Sequence, residues 1–141
     1  MIQTKYHGEI EINNEEILHF EKGIPGFLDE KEFVILPLSD DHTFSVMQSV
    51  KTPQVGFVVA NPFHYFLDYD FYLEDGVLEE LGLQSEKEVL VYSLLTVEDP
   101  FEKTTANLQA PVVINSSNHK AKQVILNVGN YKTKHPIFQK G

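Results

Sequence analysis

The amino-acid sequence predicts a mainly β protein: a compact, antiparallel, barrel-like or sandwich-like single domain with one short helix. Three observations carry that expectation. Runs rich in β-branched and long aliphatic residues recur along the chain with short breaks, the pattern of many short strands. The breaks hold proline, glycine and asparagine, which punctuate regular structure. Finally, TTANLQAPVVINSSNHKAKQVILNV (residues 104–128) reads as a hairpin, with aliphatic runs at 107–115 and 123–128 around the polar, turn-prone SSNHKAK.

In chain order the strand-like runs are 2–6, 9–12, 16–20, 32–38, 43–50, 55–61 and 89–97, followed by the hairpin. Between the third and fourth lies Gly23-Ile24-Pro25-Gly26. Proline presets φ at the second residue of a turn and glycine accepts positive φ at the third, so a type II turn is predicted. Thr52-Pro53, Asn61-Pro62 and Asp99-Pro100 mark further interruptions. The helix is predicted over 75–83, with an acidic start, apolar Val77, Leu78 and Leu81 on one side, and Gly82 as terminator. Glu79 and Glu80 then point to solvent, and Glu74, Asp75, Glu86 and Glu88 extend the acidic neighbourhood. A solvated face and a partner-facing surface are both open readings. In the hairpin, alternation puts Val112 and Ile114 on one face of the first strand and Val124, Leu126 and Val128 on one face of the second. These faces are expected to meet over a core. Residues 131–141 mix lysine, proline and isolated apolar side chains, and either fray or fold back through Ile137 and Phe138.

No repeat, low-complexity tract or linker divides the chain, so residues 1–141 are read as one domain. A 141-residue globule buries roughly 70% of the surface its unfolded chain exposes, enough for one core. There is no cysteine, which excludes disulfides and thiolate metal sites and is compatible with a reducing compartment. The start, MIQTKYHGEIEI, lacks the basic and apolar regions of a signal peptide, and the longest β-like apolar run, 89–97, is too short to cross a bilayer. The expected location is cytoplasmic, with no membrane partner.

The net charge of −10 is unevenly placed. Residues 1–103 hold all 21 carboxylates against 6 lysines, a formal −15; residues 104–141 hold five lysines and no carboxylate side chain, a formal +5. Without a single arginine there is no bidentate fork for phosphate or guanine, and the overall field repels polyanions. Direct nucleic-acid binding is therefore not expected. An acidic surface does speed encounters with basic partners, although for any one acid simple solubility explains as much.

The sequence offers little for catalysis. His7, His19, His42, His64, His119 and His135 are widely separated and form no close ligand pair, so no metal is expected. Ser39, Asp40 and His42 read as a turn rather than a triad, since no nucleophile elbow is present. No glycine-rich phosphate loop occurs, and no cofactor is expected. Asp68 and Asp70 alternate with Phe66, Tyr69, Phe71 and Tyr72, which leaves open an aromatic pocket bearing two acids as well as half-buried strand packing.

FEKGIPGF (20–27), NLQAPVVIN (107–115) and KQVIL (122–126), in this order, closely resemble the flagellar assembly factor FliW family. FVILPL (33–38), VMQSV (46–50), GFVVANP (56–62) and LLTVEDP (94–100) agree with it. Residues 68–88 and the tail beyond 131 are the least family-like. The resemblance implies a single FliW-like domain of barrel-like form, and a non-enzymatic cytoplasmic protein with two competing partners. One is the RNA-binding translational repressor CsrA, whose silencing of flagellin messenger RNA it antagonises. The other is flagellin itself, so that free flagellin sequesters the antagonist and its export releases it.

Beside that resemblance stand the residues. An acidic body docked near an RNA-binding site opposes phosphate approach, and on this reading reversing Glu79 and Glu80 to lysine weakens antagonism. Ile24 and Phe27, at an exposed turn, are candidate apolar anchors. Asn107, Gln109 and Asn115 are polar amides in an apolar strand, satisfying backbone locally or pairing with a partner. The partner-binding candidates are thus Ile24, Phe27, Glu74, Asp75, Glu79, Glu80, Asn107, Gln109 and Asn115, in a protein read as a monomer. Two other readings are carried: a small β-rich hydrolase or lyase using Asp68, Asp70 or His64 in an aromatic cleft, and a β-rich interaction domain with unrelated partners.

Overall fold

Alternating short strands and turn residues build one long antiparallel order in the computed structural model, which describes residues 1–38, 43–127 and 131–138. The turn expected at Ser39, Asp40 and His42, and the face assigned to Val128, lie outside the described residues. A separate small hairpin pairs β1 (Ile2–Gln3) with β2 (Glu9–Ile10). The main sheet comprises β3 (Leu18–His19), β4 (Glu32–Pro37), β5 (Ser45–Ser49), β6 (Gly56–Ala60), β7 (Val89–Thr96), β8 (Thr105–Ala106), β9 (Val112–Asn115), β10 (Ala121–Gln123) and β11 (His135–Pro136). Its order is β10-β9-β7-β6-β5-β4-β3, with β8 beside the last residues of β7 and β11 beside β8. Helix α1 (Asp75–Leu81) lies between β6 and β7 in the chain.

Each of the seven runs before the hairpin contains a strand, trimmed at its ends, whereas the hairpin's second strand is β10 at Ala121–Gln123 and the aliphatic run 123–128 meets it only at Gln123. The sheet curls on itself, since β3, β4, β5, β6, β9 and β10 all send side chains into one inner cluster that includes Phe20, Phe33, Met47, Val59, Val112 and Ile114. The ends of the order meet through a single bridge, His19 with Lys120, and the His19 N–H donates to the His119 carbonyl at 2.8 Å. The form is barrel-like, with a seam where no ladder runs.

A second cluster covers the outer face: Val77 and Leu81 of α1 pack with Tyr69, Leu108, Val113, Val124, Leu126 and Ile137. The hairpin reading needs correcting here. Gln123 pairs with Val112 and Ala121 with Ile114, so Val124 and Leu126 fall on the side of Val113. Val112 and Ile114 thus face the inner core and Val124 and Leu126 the outer one, and the two sets do not meet. The first strand is also broken. β8 and β9 pair with successive parts of β7, and 107–111 bulges between them because the Asn107 Oδ1 accepts from the Gln109 and Ala110 N–H groups. The tail folds back, with Ile137 buried and Phe138 edge-on to Phe101 at 5.4 Å.

The predicted type II turn is present. The Phe27 N–H donates to the Ile24 carbonyl at 2.7 Å, with Gly26 at φ 87. It tucks Ile24, only 1% exposed, into the inner core beside Phe20. Ile24 is therefore a core residue rather than an exposed anchor, whereas Phe27 remains 43% exposed with its ring edge-on to Phe57. The two glycines differ in what they require. Gly26 faces open space, while a Cβ on Gly23 (φ 71) overlaps the Leu28 backbone. Gly26→Ala should cost about 1–2 kcal/mol from left-handed strain alone, and Gly23→Ala distinctly more, in urea unfolding followed by circular dichroism.

Candidate functional site

The aromatic segment that follows β6 does not continue the sheet. Asn61 caps a 3-10 turn, Pro62–His64, by accepting from the Phe63 N–H at 2.9 Å, and Pro62 opens that turn. Beyond it the backbone is held by tyrosine hydroxyls. Tyr69 donates to the Leu108 carbonyl at 2.7 Å, and the Tyr131 hydroxyl bonds both the N–H and the carbonyl of Asp70 at 3.0 Å. The Tyr69 and Tyr131 rings meet edge to face at 4.7 Å, and burial pushes the Tyr69 phenol well above its usual range. The half-buried strand considered for 66–72 is thus replaced by an irregular segment. Composition did not foretell this, because phenylalanine and tyrosine, both strand formers, make up half of 62–73; the Pro62 turn and the tyrosine hydroxyl bonds override that preference.

This segment, α1 and residues of β4, β5, β6 and β7 line a cleft of ≈ 1250 Å³. Its walls include Phe63, Tyr65, Phe71, Leu78, Leu83 and Tyr92, and among the described lining residues the charged side chains are Asp70 and Glu86, with no lysine. Large apolar groups stand open at the rim, Tyr72 at 87% and Leu90 at 46%, with Leu67 at 89% nearby on the same segment. Of these three, sequence reasoning named Tyr72, among the aromatics of a possible pocket, and did not single out Leu67 or Leu90. His64 and Asp70 line the cleft but are exposed, and Asp68 does not line it. The three do not converge in the enclosed setting that acid–base chemistry uses. Among the described residues no group of three metal-binding side chains comes together, and no helix is long and apolar enough to cross a membrane.

Helix α1 forms as predicted and ends where Gly82 turns left-handed at φ 67, with the Leu83 N–H closing back on the Leu78 carbonyl. Glu74, Asp75 and Glu79 are exposed on it. Glu80 is not. Its side chain is 19% exposed and lies 2.7 Å from the Lys122 Nζ of β10 and 3.3 Å from the Lys22 Nζ of the loop after β3. The solvent-facing role expected of Glu80 is therefore replaced by an ionic clasp. Lys22 is 75% exposed and water screens its share, so most of the effect comes from Lys122.

The amides fall out locally. Asn115, fully buried, donates from Nδ2 to the Leu81 carbonyl at 2.9 Å and accepts from the Ser117 N–H at Oδ1, tying α1 to the hairpin turn. Asn118 Nδ2 reaches the same Leu81 carbonyl at 3.0 Å. Asn107 is used by its own bulge, and the half-buried Gln109 is bound there through its N–H and carbonyl. Burial removes Asn115 from any direct partner contact in this conformation.

A second buried carboxylate escaped sequence reasoning. Glu30, 8% exposed, accepts from the Ser49 and Thr52 hydroxyls. Burial pushes its carboxyl up, but the two hydroxyls together with the Lys51 charge outweigh this and hold it below the ordinary value. Glu80 is likewise held low, chiefly by the Lys122 hydrogen bond, with burial opposing and Lys22 adding. A carboxyl lowered by folding stabilises the fold fully above its ordinary value of 4.5, and that contribution fades as pH falls through the lower folded value. Glu80→Gln should therefore lose about 1 kcal/mol at neutral pH and show a shallower fall in urea midpoint than the parent below pH 4.5.

With this geometry in view, the relatives are consistent along the entire fold. A family profile described as FliW protein matches residues 1–137. The chain is 56% identical over 137 residues to the flagellar assembly factor FliW of Geobacillus kaustophilus, covering 97% of this chain and 94% of that one. It is 50% identical to that of Bacillus subtilis, covering 97% and 96%. A solved structure titled "Crystal structure of the flagellar assembly factor FliW" superposes with a TM-score of 0.94 at 54% identity, covering 99% of this chain and 97% of that one. A clefted, barrel-like β fold matched so fully in sequence and shape places the chain in the FliW family of flagellar assembly factors.

Proposed function

We propose that this flagellar assembly factor acts by occupying other proteins in a partner-switching loop. It binds the translational repressor CsrA and antagonises its repression of flagellin messenger RNA, and it binds flagellin, which competes for it. On this reading it works in the cytoplasm as a monomer, needs no cofactor or metal, does not touch nucleic acid directly and carries no catalytic residue.

The observation that carries the reading is the open, aromatic cleft, whose described lining holds no lysine and which is walled by Leu78 of α1, a helix that also exposes Glu74, Asp75 and Glu79. Exposed Tyr72 and Leu67 supply apolar surface that a partner buries, while Glu74, Asp75 and Glu79 steer basic partners toward it. A body of net charge −10 held against an RNA-binding protein also opposes phosphate approach, whether or not it covers the RNA site. Phe27 and Gln109 lie outside this surface and serve in it only if a partner extends well beyond the cleft.

Binding of purified CsrA and of flagellin to the immobilised chain tests the reading. Leu67→Ser with Tyr72→Ser should leave the melting temperature within about 1 °C, because both side chains are exposed, and weaken partner binding about tenfold or more. Reversing Glu74, Asp75 and Glu79 to lysine should flatten the salt dependence of association. Unaltered affinity for both partners in the first variant would remove the cleft from the interface; failure of the parent chain to bind either partner would remove the reading itself.

A further inference from the structure

Helix α1 stands across the seam where, among the described residues, no ladder joins β3 to β10. β3 has two residues and β10 three, and between them run only the His19–Lys120 bridge and the His19 N–H to the His119 carbonyl. His119 itself adopts φ 62, so the turn presenting that carbonyl is held in a conformation uncommon for a side-chain-bearing residue. What spans the gap is side chains from the helix. One oxygen of Glu80 takes Lys22, from the β3 side, and the other takes Lys122, from β10. At the helix C-terminus, Asn115 and Asn118 hold the Leu81 carbonyl from the β9–β10 turn. Small grooves flank the clasp, lined by Glu21, Glu79, His19 and Lys120 besides the clasp residues, so water reaches it from both sides. The opposite side of the same helix, through Leu78 and then Leu83, lines the aromatic cleft.

We propose that α1 is a latch: closed, it holds β3 to β10 and walls the cleft, and lifted, it opens the seam and removes the cleft wall together. Seam and cleft are therefore one cooperative unit, and anything that packs against Leu78 and Leu83 also sets the seam. The unit is small. It is joined to the rest of the fold mainly by side-chain bonds and by Val77 and Leu81, whereas β4, β5 and β6 are locked by full ladders. This inference concerns the isolated chain and is independent of which proteins it binds.

Native-state hydrogen exchange on the full chain tests it. Glu80→Gln should raise exchange of the α1 amides and of the His19 amide, which crosses the seam to the His119 carbonyl, by a common factor, about fivefold or more, leaving the β4–β5 ladder unchanged. Glu79→Gln removes the same charge from the same helix outside the clasp and should move none of them. Lys122→Gln breaks the clasp from the β10 side and should reproduce the Glu80→Gln pattern, which keeps the test available if one variant does not fold. Faster exchange in α1 with the His19 amide unmoved, in both clasp variants, or an equal effect from Glu79→Gln, would overturn the latch.

Discussion

Val112, Val113 and Ile114 are all at or below 1% exposure although neighbouring strand residues point to opposite faces, so β9 must be covered on both sides. One face is met by the curled sheet, which folds Phe20, Phe33 and Met47 over Val112 and Ile114. The other needs a second layer, and the chain supplies it from three distant places: α1, the aromatic segment after β6 and the returning tail. Burying a side chain of this size contributes about 1.5–3 kcal/mol, so an uncovered outer face would sacrifice several such terms at once. The cleft is a by-product of that covering. Because the covering layer is one short helix and an irregular segment instead of a second sheet, it leaves a space open beside the sheet, lined both by Phe71 and Leu83 of the outer cluster and by Ile35 and Tyr92 packed on the inner one.

The same layer decides how charge is spent across the molecule. A lysine-bearing carboxy-terminal region suggests a free basic arm, yet Lys122 is taken by Glu80, and the turn carrying Lys120 is engaged at the seam. Among the described residues of α1, Glu80 is the acid in an ion pair, while Glu74, Asp75 and Glu79 remain exposed, Glu79 at the groove beside the clasp. A helix thus sorts its acids by position, with one facing the seam as a structural group and the others facing water as a field. Partly buried pairs and exposed charges respond differently to salt, since screening acts mainly on the latter. The clasp persists under ionic conditions that dampen steering.

Much of this fold was legible in the sequence where local chemistry and tertiary structure agree. Proline and glycine at 25 and 26 dictate the type II turn, Gly82 stops the helix in a left-handed residue, and each of the seven runs before the hairpin contains a strand. The failures share a physical cause, which is that period-2 reasoning gives relative faces within a strand but not the register between strands. One residue of register decided that Val124 and Leu126 face the outer cluster. The burial of Ile24 was hidden for a related reason. A turn residue is ordinarily exposed, but Gly23, packed against the Leu28 backbone, bends the chain so that the side chain enters the barrel end. The candidate site was half legible: its acids on α1 were found and an aromatic cleft near Asp70 and His64 was left open beside half-buried strand packing, but the choice between them was hidden, because it depends on tyrosine hydroxyls reaching carbonyl and amide groups dozens of residues away.

A protein that exchanges one partner for another needs affinity that is easily competed for, and the arrangement around α1 has the right ingredients. Apolar rim residues give attraction without a deep enclosed pocket, and the acids raise encounter rates more than they slow dissociation. Since Leu78 of the cleft and Glu80 of the seam are two residues apart on one helix, a displacement of α1 on binding is felt at both. A ligand shifts such an equilibrium only by its differential affinity for the closed and lifted states. A partner packing flush against the helix favours the closed seam, and one that wedges beneath it favours the open one. Two partners of those two kinds then exclude each other through the helix even where their contact areas do not overlap, which makes shared footprint an unnecessary condition for competition.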